Sequence, residues 1–127
     1  MYLEAILAHK KEEIRQKKAR SLAGLPGKSG NLGLPGGSRN LPGGNRFRSA
    51  LAAPGIAVVA EIKRASPSRG TIAPGLDPVK TAVLYEKNGA AAISVLTEEE
   101  FFRGGLHDLQ AVKAVAKLPV LAKDFFL

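Results

Sequence analysis

The sequence predicts an α/β fold in which parallel strands are joined by helical crossovers, and three observations predict it. Apolar runs recur from residue 46 onward, each carries little or no internal polar residue, and each is separated from the next by a stretch with helical periodicity. A strand that is apolar without alternation is what a sheet covered on both faces asks for, and such sheets are parallel. The order read from residue 46 is strand, helix, strand, helix, strand.

Each element has a local reason. After a short helical piece around Phe47 to Ala52, Pro54-Gly55 punctuates the chain before the first strand, Ile56 to Ile62. Asp77 before Pro78 reads as an N-cap with proline at the first helical position. Val79, Ala82 and Val83 give that helix an apolar face, and Asn88-Gly89 gives it a stop. "AAAISVLTE" is the second strand, Leu106, Leu109, Val112 and Val115 mark the second helix, and "LPVLAKDFF" is the third strand.

Two segments precede this part. Leu3, Ile6, Leu7 and Ile14 recur at helical spacing among charged residues, so residues 1–23 are expected to form a basic amphipathic helix. Residues 24–45 hold a Leu-Pro-Gly triplet repeated three times, a composition that cannot fix a backbone cheaply, and are expected to be a flexible linker. Gly27-Lys28-Ser29 lies within it. A phosphate-binding loop would need a glycine where Leu22 stands and a strand leading in, so the match fails.

Composition excludes several classes. There is no cysteine, and His9 and His107 lack ligand spacing, which argues against a metal enzyme. No apolar run approaches the roughly 20 residues of a membrane span, and the N-terminus has no signal-peptide pattern, so a cytoplasmic location is expected. Of the formal net charge of +8, residues 1–48 carry +7 and the remainder +1. The basic excess belongs to the leader, no aromatic residues interleave with it as stacking platforms, and nucleic acid is not expected as a partner.

The strand ends decide between an open sheet and a barrel. In a (β/α)8 barrel the chemistry collects at the carboxyl ends of the strands. Here Glu61 and Lys63 follow the first strand, Thr97 and Glu98 the second, Lys123 and Asp124 the third. A dinucleotide-binding fold would place a glycine-rich turn after the first strand, and Ser66-Pro67-Ser68 does not supply it. The expected fold is therefore α/β, a partial (β/α)8 or TIM barrel covering about its first three strands (residues 46–127), preceded by a helical extension. Period-2 geometry puts Glu61 and Lys63 on one strand face. Glu98, Glu99 and Glu100 read as a solvated acidic run with Glu98 the exception to watch, and Asp124 as a structural neighbour of Lys123.

Three of these stretches, "VVAEIKRASPSRG", "GAAAISVLTEEEFF" and "LPVLAKDFF", resemble the first three strand-end motifs of indole-3-glycerol phosphate synthase. The basic leader is also similar to the extension that precedes the barrel in that family. The Leu-Pro-Gly stretch has no counterpart, and Gly104-Gly105-Leu106 stands where the family carries Gly-Ser. The resemblance implies a cofactor-free closure of 1-(2-carboxyphenylamino)-1-deoxyribulose 5-phosphate to indole-3-glycerol phosphate, carbon dioxide and water. It implies that Lys123 is the acid at the ketone oxygen, and that Lys63 grips the anionic substrate or serves the dehydration. Glu61 would orient an ammonium or stabilise the cationic intermediate, Ser66 would hold the substrate carboxylate, and Phe102 and Phe125 would line the aromatic-ring pocket.

A closed barrel takes about 250 residues. The 127 residues here reach only the third strand, so the expectation is an N-terminal part of the enzyme, inactive alone and able to associate with the remaining half of the barrel. Other readings of the same residues are a non-catalytic half-barrel and an interaction module with a basic arm.

Overall fold

A computed structural model describes residues 2–23 and 44–127. They fall into two compact units, one comprising residues 2–23 with 125–127 and the other residues 44–124. The predicted linker, residues 24–45, lies almost wholly outside the described residues.

The first unit is built on helix α1 (Tyr2–Ala23). Of its apolar stripe Ile6 is buried and Leu7 and Ile14 are half-buried, whereas Leu3 is exposed and Lys10 is buried. The Lys10 ammonium is accommodated by a salt bridge to Glu13 at 2.8 Å, and Glu13 also accepts from Lys17 one turn on. Among the described residues no helix is long and apolar enough to cross a membrane.

The second unit begins with α2 (Gly44–Ala52) and continues through β1 (Val59–Ile62), β2 (Ala65–Ser66), β3 (Gly70–Thr71), α3 (Pro78–Lys87), β4 (Ala92–Leu96), α4 (Leu106–Val115) and β5 (Val120–Lys123). Strands β1, β4 and β5 form one parallel sheet in that order, with β4 central. The caps of α3 are those its sequence signals: the Asp77 carboxylate accepts from the Val79 and Lys80 amides at 2.9 and 3.1 Å, Pro78 opens the helix, and Gly89 with φ +84° closes it.

The two faces of the sheet differ. Ile62, Ile93 and Val95 point to one face and form the core with Ala82 of α3 and Val112 of α4; Leu76, Tyr85, Leu109, Leu118 and Val120 surround them. Fully burying each such side chain stabilises the fold by about 1.5–3 kcal/mol, so this layer is what holds the sheet to its helices. The other face carries Val59 and Glu61, then Ala92, Ser94 and Leu96, then Leu121 and Lys123, because strand neighbours in register share a side.

Burial along the strands corrects part of the sequence reading. The first strand starts at Val59, three residues later than its apolar run, and Ile56, Val58, Val59 and Leu121 are exposed. Of the three strands of the parallel sheet only β4, flanked by a strand on each side, is buried along its whole length. Ser66-Pro67-Ser68 is likewise more than a turn: Ala65-Ser66 pairs antiparallel with Gly70-Thr71 to make a small hairpin just beyond β1.

Candidate active site

The residues at the carboxyl ends of β1 and β5 converge on one carboxylate. Glu61 receives the Lys123 ammonium on Oε2 at 2.7 Å and the Lys63 ammonium on Oε1 at 3.0 Å. Lys63 reaches it by strand alternation, two residues further along the chain. Lys123 reaches it across β4: Glu61 is in register with Ser94 and Ser94 with Leu121, so the lysine two residues past Leu121 leans back over the central strand. The Ser94 hydroxyl lies between, buried and with no partner among the described residues.

The electrostatics of the cluster follow from this geometry. Partial burial pushes the Glu61 carboxyl up. Hydrogen bonds from Lys123 and Lys63, with the charge of both ammoniums, together outweigh it and hold the carboxyl below its ordinary range. Glu61 is thus a carboxylate at neutral pH, and the three groups together carry one net positive charge beside the strand ends. The ammoniums stand in a polar and accessible setting, Lys123 being 54% exposed.

Other elements fix the backbone beneath these side chains. The Tyr85 hydroxyl, on α3, donates to the Glu61 carbonyl at 2.9 Å. At the end of β4 the Thr97 amide donates to the Lys123 carbonyl at 3.0 Å and its hydroxyl donates to Asp124 at 3.1 Å, which ties the residues on both sides of the Lys123 carbonyl to the neighbouring strand.

Ser66 and Phe102 lie in the segments that follow β1 and β4. Ser66 sits in the hairpin after β1, buried, its Oγ 3.4 Å from that of Ser68, so its hydroxyl bonds within the hairpin. Phe102 is half-buried in the loop after β4. Phe125 follows Asp124 in the chain and belongs to the other compact unit.

Glu98 is the exception its acidic run allowed for, and two further features, Gly104 and the Arg64–Asp108 pair, escaped the sequence reading. Glu98 is not solvated at all: it is 1% exposed, and its carboxylate accepts from the amides of Glu100, Phe101 and Phe102 at 3.2, 2.7 and 3.1 Å. Glu99 and Glu100 are exposed. Glu98 therefore shapes the loop that presents Phe102. Gly104, in the same loop, donates to the Glu98 carbonyl, and a side chain there would meet the Leu96 carbonyl oxygen at 1.9 Å. Arg64 pairs through both terminal nitrogens with the buried Asp108 of α4. Asp108 lies one turn before Val112 on the buried side of its helix, and an acid at such a position demands a buried base, the signal that could have found the pair.

A groove of about 450 Å3 lies at the other end of β5, lined by Arg46, Phe47, Lys113, Leu118 and Leu121 among others. It contains none of the strand-end residues. The site is assigned to the carboxyl ends because the convergent charges are there, as barrel chemistry requires.

A parallel sheet with charged groups gathered at its carboxyl edge narrows the fold, and comparison with known proteins settles the family. The family model described as indole-3-glycerol phosphate synthase matches residues 3–127. The chain belongs to that family. An indole-3-glycerol phosphate synthase of Oceanobacillus iheyensis is 40% identical over 126 residues, 99% of this chain and 44% of the relative. That of Carboxydothermus hydrogenoformans is 44% identical over 131 residues, all of this chain and 48% of the relative. That of Mycolicibacterium gilvum is 60% identical over 79 residues, 62% of this chain. The chain thus spans less than half the length of these relatives. Indole-3-glycerol phosphate synthases are TIM barrels, and the β1-β4-β5 sheet with its α3 and α4 crossovers is part of one.

Proposed function

We propose that this chain contributes the front wall of an indole-3-glycerol phosphate synthase active site. The reaction is the ring closure of 1-(2-carboxyphenylamino)-1-deoxyribulose 5-phosphate. The arene carbon bearing the carboxylate attacks the ketone carbon, carbon dioxide leaves, and the hydroxyl formed from the ketone oxygen departs as water. The observation that carries this reading is the Glu61 carboxylate held between Lys63 and Lys123.

Lys123 supplies the proton to the ketone oxygen as charge builds on it, a contribution worth about 10²- to 10⁴-fold in rate. Glu61 aims that ammonium before substrate arrives. The net positive charge of the three groups suits a substrate that bears a carboxylate and a phosphate, and Lys63 is placed to grip one of these anions or to serve the dehydration. Ser66 takes the substrate carboxylate, and Phe102 with Phe125 takes the aromatic ring. No cofactor is called for. The cytoplasm is the compartment proposed on sequence grounds.

The substrate phosphate is held in such barrels by loops near the seventh and eighth strands. We therefore propose that the outer edges of β1 and β5, unpaired among the described residues, are completed by further strands of the same barrel. Residues 1–127 alone should turn over little substrate, because phosphate binding cannot be used to position the reacting atoms.

The test joins residues 1–127 to the remaining portion of the Carboxydothermus relative and follows indole-3-glycerol phosphate by fluorescence. The chimaera should be active, and Lys123→Ala should reduce its rate by about 10²-fold or more. A folded chimaera whose rate is indifferent to Lys123→Ala and Lys63→Ala would contradict the assignment.

A further inference from the structure

Lys123 is the last residue of β5, and β5 is an outer strand, bonded to β4 on one side and unpaired on the other among the described residues. The end of an outer strand is where a ladder opens most readily. Yet Lys123 is the residue that must reach across β4 to the Glu61 carboxylate, at 2.7 Å. A lysine is a point charge on a flexible four-carbon stem, so the place of its ammonium depends on how firmly its own peptide is held.

Thr97 does the holding. It follows the last residue of β4, and the final pair of the ladder is Leu96 with Lys123. Its amide donates to the Lys123 carbonyl at 3.0 Å. Its hydroxyl lies 3.1 Å from Asp124 Oδ2 and 3.5 Å from the Lys123 carbonyl oxygen. A hydroxyl has one proton to give, and the shorter contact to a charged acceptor takes it. Thr97 is 5% exposed, so little water competes for that bond.

We infer that Thr97 is a positioning residue for Lys123: with its amide on the Lys123 carbonyl and its hydroxyl on Asp124, it extends the β4–β5 pairing one residue past the ladder and holds the lysine where its ammonium meets Glu61. The inference rests on the functional reading above, in which Lys123 is the acid at the ketone oxygen. Thr97 acts through the peptide of Lys123 and not through its ammonium. Its loss should therefore show in the delivery of the proton and not in the binding of substrate.

The kinetic test uses the active chimaera. Valine has nearly the shape of threonine without the hydroxyl, and serine keeps the hydroxyl. Thr97→Val should lower kcat about tenfold or more and leave KM within about threefold, and Thr97→Ser should recover most of the loss. In a Lys123→Ala background, Thr97→Val should change kcat by less than about twofold, because the group it positions is gone. Thr97→Ala carries the same test if Thr97→Val does not fold. A raised KM with kcat unchanged, a serine variant as poor as the valine one, or a loss repeated in full without Lys123 would overturn the proposal and leave Thr97 a contributor to stability alone.

A second readout needs no activity. Acylation by an N-hydroxysuccinimide ester requires a neutral amine, and a carboxylate partner favours the charged form. In the 127-residue chain, labelling of Lys123 is compared by mass spectrometry with that of Lys80, whose side chain is 86% exposed. Thr97→Val should raise the Lys123 to Lys80 ratio about threefold or more, towards the value of Glu61→Gln, and Thr97→Ser should stay near the parent. A parent-like ratio in Thr97→Val, or in Glu61→Gln itself, would overturn the inference. A chimaera inactive with Thr97 intact would count against the functional reading, and the labelling ratio would still decide the positioning.

Discussion

Replacing Glu98 by alanine removes one acceptor from three backbone donors at once, and the structure allows the cost to be worked out. The Phe101 and Phe102 amides lie at 2.7 and 3.1 Å from Oε2, and the Glu100 amide at 3.2 Å from Oε1. Hydrogen bonds to a charged group contribute about 1.5–3 kcal/mol each when their loss leaves the donor buried. Glu100 is exposed and its amide regains water, whereas Phe101 and Phe102 are half-buried and regain it in part. Taking the low end for those two and little for the third, Glu98→Ala should cost about 3 kcal/mol. Glu98→Gln should cost about half of that, because its carbonyl can serve the two phenylalanine amides while its NH2 faces the third donor.

Urea denaturation followed by circular dichroism reads the difference. With a slope of about 1 kcal/mol/M for a chain this size, the midpoint of Glu98→Ala should fall by about 3 M, or the variant should fail to fold. Glu99→Ala, at the exposed neighbour, is the control and should move the midpoint by no more than about 0.5 M. If Glu98→Ala behaved like Glu99→Ala, the loop would not be organised by this carboxylate, and the account of how Phe102 is presented would fail.

Two further outcomes are expected on the same basis. The Glu61 carboxyl is depressed in the folded chain, so its contribution to stability is present above the unfolded value of about 4.5 and is lost as pH falls through the lower folded value. The urea midpoint should therefore drop more steeply as pH falls below about 5 in the parent than in Lys123→Met, which lacks the stronger of the two lysine partners; parallel curves would refute this. Gly104→Ala must move either the loop or the Leu96 carbonyl that lies 1.9 Å from the added carbon, and should destabilise by about 2–4 kcal/mol, as measured by the same denaturation. A loss below about 0.5 kcal/mol would show that the loop is not fixed there.

How far the sequence could be read follows from where each signal lies. Helix α3 was legible because Asp77, Pro78 and Asn88-Gly89 act within a few residues of the backbone groups they satisfy. The placement of Glu61 beside Lys63 was legible for the same reason, since alternation along a strand is local. That Lys123 crosses β4 to the same carboxylate depends on the register of three strands, which no single stretch encodes. The family resemblance, rather than any spacing, put Lys123 in the site.

Glu98 could only be flagged as an exception, and Arg64 was missed, because their partners are invisible to pattern reading. A run of three acids is usually solvated, and only the fold of the loop turns the first of them inward onto three backbone amides. Arg64 and Asp108 are separated by 44 residues, and their pairing arises only once α4 is laid against the sheet. The apolar run of the first strand misled in the opposite direction: it reads as doubly buried, while Ile56, Val58 and Val59 are exposed.

The central claim is that Glu61, Lys63 and Lys123 act as one unit, and it is tested most directly by a kinetic cycle in the chimaera with Glu61→Gln, Lys123→Ala and the double variant. Groups that act together are strongly non-additive in their effect on rate. The account predicts that both single variants lower kcat and that the double variant is no worse than about threefold below the poorer single one. Losses that multiply, or a Glu61→Gln enzyme with the parent's kcat, would mean that the carboxylate and the lysine are neighbours without a shared role.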